Sequence, residues 1–198
     1  PDASRMYEWG NRSGPNLQRQ PPLTSKKVII MVKDTFFIRK TVDIGNTNAF
    51  FQGEIDLGSY VNALGKSILK IHGVTITYSD NAGRSSTVQP GTAVAQWQLT
   101  TQSQTDIVRD DNKSLISSGR CHFRNASAAP ALASTVTEAN GINPQEFVDG
   151  YLVAVEQIYL GGAASTLFAG DVYVTAVLEC TVGTMTESKA MALALSQQ

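Results

Sequence analysis

From Val28 to about Thr181 the chain consists of short apolar or alternating runs separated by turn residues, a punctuation that restricts it to an all-β fold. Strands are predicted at about 28–33, 35–44, 50–57, 67–78, 93–100, 104–109, 114–124, 151–160 and 165–181. The clearest alternation sets Val172, Val174, Ala176, Leu178 and Cys180 against Tyr173, Thr175, Val177, Glu179 and Thr181. Both rows are fairly apolar, which predicts a central strand covered on both sides. Asp80-Asn81-Ala82-Gly83, Asp110-Asp111-Asn112-Lys113 and Gly161-Gly162 offer residues that tolerate positive φ, and such turns favour a sandwich or barrel.

Helix is minor. Asn143-Pro144-Gln145-Glu146 reads as a capped start of about two turns ending at Gly150, and Thr184-Met185-Thr186-Glu187 as a capping box before a short C-terminal helix. The Met191/Leu193/Leu195 alternation in that tail suits a strand equally. Residues 126–142 are rich in Ala, Ser and Thr and read as a long connection.

Residues 1–27 lack any apolar period, contain prolines and carry five basic against two acidic side chains. They read as an extended arm of net charge +3, which leaves −4 on the rest, since the whole chain carries −1. The predicted organisation is arm 1–27, β-sandwich 28–184 and C-terminal helix or tail 185–198. Charged residues are 17% of the chain, below the roughly 25% usual for globular domains. Such a surface has little self-repulsion to keep copies apart, and it argues against a strongly basic nucleic-acid binder. No run reaches the 18 or so apolar residues of a membrane helix, and no signal-peptide core opens the chain, so a soluble protein is expected. Pro1 without a Met is what initiator removal or proteolytic maturation leaves.

Candidate chemistry is sparse. His72 and His122 sit in strand runs without a carboxylate or Cys at ligand spacing. Ser67-Ile68-Leu69-Lys70 matches the Ser-x-x-Lys of acyl enzymes but falls in a strand. Glu54/Asp56 read as a solvated strand face, and Asp106/Asp110/Asp111 as a polar turn without calcium-loop spacing. Cys121 and Cys180 fit no metal spacing and read as buried thiols, a disulfide being the alternative. Trp97 reads as a core residue, and Asn11, Asn112 and Asn125 open formal glycosylation sequons. The expectation is no enzyme, no catalytic or metal residue and no cofactor. The arm is the informative segment: Met6, Tyr7 and Trp9 are expected to plug an apolar pocket on a neighbouring subunit. A second candidate role is nucleic-acid contact through Arg5, Arg12, Arg19, Lys26 and Lys27, weak or indirect because each phosphate needs its own cation.

A polar, proline-containing arm, eight or nine short strands, a long Ala/Ser/Thr connection and a low-charge body together resemble a virus coat protein of the jelly-roll type. The resemblance is one of layout across the whole chain. It implies an antiparallel β-sandwich, a single jelly roll of about eight strands, whose copies assemble with other virion proteins into a capsid shell. A tail-tube or filament protein and an extracellular β-sandwich module for glycans or receptors are the alternatives.

Overall fold

The computed structural model describes residues 34–198 apart from 63, 65, 128–130 and 134. The strand expected at 28–33 and the whole arm 1–27 lie outside the described residues. Among the described residues eleven strands follow in order: β1 (Phe36–Gly45), β2 (Phe51–Asp56), β3 (Ser67–Ser79), β4 (Thr87–Val88), β5 (Gly91–Thr100), β6 (Leu115–Asn125), β7 (Ala131–Leu132), β8 (Thr135–Asn140), β9 (Tyr151–Val153), β10 (Gln157–Ala164) and β11 (Val172–Thr184). A helix, α1 (Glu187–Ser196), closes the sequence.

The pairing is nested. β1 pairs with β11, β2 with β10, β3 with β9 and β5 with β6, all antiparallel. Successive pairs fall alternately into a four-stranded sheet, β1-β11-β3-β9, and a five-stranded sheet, β2-β10-β5-β6-β8. This is a jelly roll of eight strands, with β8 added outside β6 and β4 pairing with β7 apart from both sheets.

The inner rows of the two sheets meet in one core. Ile44, Leu57, Leu69, Ile71, Leu99, Ile116, Ile158, Leu160 and Leu178 are fully buried there. Each such side chain contributes about 1.5–3 kcal/mol through water exclusion. Trp97 joins them at 3% exposure because its neighbour in register on β6, Gly119, presents no side chain to its indole. A Cβ on Gly119 would stand 2.6 Å from Trp97 Nε1. On β10 a Cβ at Gly161 would meet Phe50 and one at Gly162 the Gln96 carbonyl. Gly161-Gly162 is therefore no turn but the middle of β10, where close packing, not positive φ, requires glycine.

Other expectations are also corrected. Residues 104–109 form no strand: the buried Gln98 amide donates to Asp106 O (3.0 Å) and accepts from Val108 N (2.7 Å), laying this loop over β5 in place of a ladder. The run 151–160 is two strands, because the chain crosses from one sheet to the other at residues 154–156. Residues 165–171 belong to a loop anchored by buried Phe168, and β11 starts only at Val172. β11 is central, but its outer row Tyr173, Thr175 and Val177 is half-buried and Glu179 exposed, so one face only is fully covered. The connection 126–142 contains β8.

Both capping predictions shift. The Asn143 side chain accepts from Ser117 Oγ (2.7 Å) instead of capping, and only a single 3-10 turn, Pro144–Glu146, follows. β11 runs on through Thr184, which moves the N-cap of α1 to Thr186. α1 forms because Ala, Met, Leu, Lys and Glu favour helix, and it lays Ala190 and Ala194 on Ile68 and Ala154 as a small second core.

Candidate assembly surfaces

The chemistry-bearing residues are placed apart. His72 is the extra residue of a bulge in β3 and shares a 2.8 Å hydrogen bond with Thr181 Oγ1. His122 lies on β6, in the other sheet. Ser67 Oγ donates to Tyr60 O (3.1 Å) while Lys70 pairs with Asp149 (3.2 Å), so the Ser-x-x-Lys pattern forms no nucleophile and base. Glu54 and Asp56 are exposed on β2, and Asp56 turns back to accept from Gly58 N. Asp106 Oδ1 accepts from Ile107 N, and Asp110 accepts from Ser118 Oγ (3.0 Å). Among the described residues no group of three or more His, Cys, Asp or Glu converges to hold a metal ion.

Cys121 and Cys180 are buried free thiols on the inner rows. Burial pushes them up, to about 11 for Cys121 and about 12 for Cys180, which keeps both protonated and unreactive. The Asn125 amide is buried and donates to Val88 O, which removes it as a glycosylation acceptor. Met6, Tyr7, Trp9, Arg5, Arg12, Arg19, Lys26, Lys27 and the Asn11 sequon lie outside the described residues.

What the fold does build is a set of weakly charged surfaces. On the outer face of the four-stranded sheet Thr41, Thr175 and Thr77 stand in register across three strands, and the Thr41 and Thr175 hydroxyls bond at 2.8 Å. Phe37 beside them is 53% exposed, with the Arg39 guanidinium 5.7 Å from its ring centre.

The edges differ in protection. β1 carries Arg39, Lys40 and Asp43, and β2 carries Glu54 and Asp56, charges that discourage a foreign strand. β9 is short, and its backbone is taken up by Gln197, which accepts from Ala154 N (2.9 Å) and donates to Leu152 O (2.6 Å). β8, with the sequence TVTEAN, is exposed at all six positions, holds no Lys, Arg or Pro, carries Glu138 as its one charge, and closes the five-stranded sheet.

Two hollows accompany these surfaces. One, of about 420 Å³, lies on the outer face of β6 and includes Gln96, Asp110, Arg120, His122 and Asn140. Arg120, His122 and Arg124 share that face by strict alternation, a signal legible in RCHFR that composition obscured. The other, an open cleft of about 660 Å³, runs beside α1 and is lined by Val155, Glu156, Tyr159, Met191 and Leu195 among others. The sequence reading missed it, because its walls come from three separate segments.

No helix among the described residues is long and apolar enough to cross a membrane. No protein-family model matches the chain, and no curated protein matches it.

Proposed function

We propose that the protein is a structural subunit, not an enzyme, which assembles with copies of itself into a viral capsid shell and resides in the virion. The observation that carries this reading is β8. Among the described residues this edge is exposed at every position and carries a single charge, Glu138, which is a liability in a lone monomer and becomes an asset when assembly covers it. The threonine row of the other sheet and exposed Phe37 extend the same logic, since faces of low charge lose little solvation on burial. Jelly rolls build viral capsids as well as lectins and cupins, so the fold is compatible with this role without selecting it. Other virion proteins are natural partners, and nucleic-acid contact is weak or indirect, given an arm of only +3.

Expression of the full chain, followed by sedimentation and negative-stain microscopy, tests the proposal. Closed shells are expected. Open tubes would select a tail-tube or filament protein, and a monomer at every concentration would overturn self-assembly altogether.

A second reading draws on the hollow beside β6. Amide, guanidinium, imidazole and carboxylate groups in one depression suit a hydroxyl-rich ligand, as in a glycan- or receptor-binding module. It predicts a discrete monomer whose glycan binding is lost in Arg120→Ala.

A further inference from the structure

The cleft beside α1 combines two properties. Part of its lining is apolar: Val155, Tyr159, Met191 and Leu195 stand beside polar Thr101, Gln102, Ser103 and Gln157, with Met191 38% and Leu195 65% exposed. On α1 these two follow Glu187 at steps of four, so Glu187, Met191 and Leu195 form one stripe along the helix. Ala190 and Ala194, on the neighbouring flank of the helix, pack against the body, which leaves Met191 and Leu195 exposed among the described residues.

Its rim is acidic. Glu156 lies on the wall, and Glu54 and Asp56 are exposed on β2 directly opposite Tyr159 and Gln157 of the cleft. None of the three takes part in a salt bridge among the described residues, and no Lys or Arg lines the cleft. A partly apolar lining with an acidic rim calls for an occupant with large apolar side chains set between cations.

Residues 5–12, RMYEWGNR, come near that composition: Met6, Tyr7 and Trp9 are flanked by Arg5 and Arg12, with Glu8 the one acidic side chain among them. We propose that this cleft receives the N-terminal arm of a second copy of the chain, with Tyr7 and Trp9 on Met191 and Leu195 and the arginines facing Glu156, Glu54 and Asp56. Tyr and Trp each bury ~150–250 Å² when docked, so two rings would cover the stripe. Trp9 precedes Asp34, the first described residue, by 25 positions, and a chain of that length reaches at most about 90 Å. That span is ample for a neighbour. Docking in trans rests on the self-assembly reading above, and it adds the site.

The test uses two full-length variants that keep both aromatic rings. Glu8→Cys places a thiol between Tyr7 and Trp9, and Gln157→Cys places one at the exposed cleft wall. The native thiols are buried and stay silent. On mild oxidation, a mixture of the two variants is expected to give a disulfide-linked pair of twice the chain mass that neither variant alone gives in the same pairing. A double variant that closes only an intrachain bond would overturn docking in trans. Leu195→Lys, at an exposed position, is expected to keep the wild-type melting temperature and lose particle yield by roughly tenfold or more, the equivalent of exposing one docked leucine. Wild-type particle yield from Leu195→Lys, with no crosslink in the mixture, would overturn the docking and leave capsid assembly standing. A wild-type chain that never assembles would instead overturn the assembly reading, and docking in trans with it.

Discussion

The two cores of this molecule are unequal in how completely the chain itself covers them. Between the sheets, side chains such as Leu69, Leu99, Leu160 and Leu178 are sealed from both directions, and nothing outside the chain is needed to complete them. Under α1, only Ile68, Ala154, Ala190 and Ala194 are buried, and the same helix shows Met191 and Leu195 to solvent. A buried amide, Gln197, holds this second core by occupying the β9 edge, and its own backbone carbonyl accepts from Thr101 Oγ1 (2.8 Å). One core makes the fold; the other leaves a surface unfinished.

The contrast can be broken at several points. Leu178→Ala strikes the sealed core and should cost about 2–5 kcal/mol, because a cavity adds to the lost burial. Urea unfolding measures this, and a loss under about 1 kcal/mol would mean that the inter-sheet core is not the main source of stability. Gln197→Ala leaves Ala154 N and Leu152 O without their partner and should cost ~1–3 kcal/mol. Hydrogen exchange should then rise at Ala154 and along α1 while β11 stays protected; uniform acceleration would show that the two cores unfold as one.

A third prediction concerns pH. The folded Cys121 and Cys180 thiols sit above their ordinary range, so the folded state holds their protons more tightly than the unfolded chain does. Their contribution is fully present below the ordinary thiol pKa and is lost as pH rises towards about 11 and about 12, respectively. Comparing urea midpoints of the wild type and a Cys121→Ala/Cys180→Ala double variant between neutral and alkaline pH should reveal an extra decline of about 1–2 kcal/mol in the wild type. Parallel curves would exclude it. The smallest effect on stability is expected from Thr137→Lys on β8, within about 0.5 kcal/mol. If the edge is an assembly contact, particles should nonetheless fail to form. Normal particles would remove β8 from the interface.

What could be read in advance follows from the range over which each signal acts. Alternation along β11, the buried role of Trp97 and the turns at Asp80 and Asp110 depend on neighbours in sequence, and composition displays them directly. In the turn at Asp80, for instance, Oδ1 accepts from both Ala82 N and Arg84 N. The 104–109 run reads as a strand through Ile107 and Val108, yet it is a loop because Gln98, from another segment, satisfies its backbone. Gly161-Gly162 looks like a turn and is a strand, because close packing against Phe50, Ile44 and the Gln96 carbonyl outweighs backbone freedom.

The sequence by itself determined an all-β chain of low charge with a cationic arm, since alternation, turn residues and charge counts are local properties. Only the tertiary structure decided the nested order of the strands, the uncovered edge at β8 and the acidic-rimmed cleft at α1. Those features join residues far apart in the chain, and their meeting is set by which sheets pack together, which no local pattern encodes.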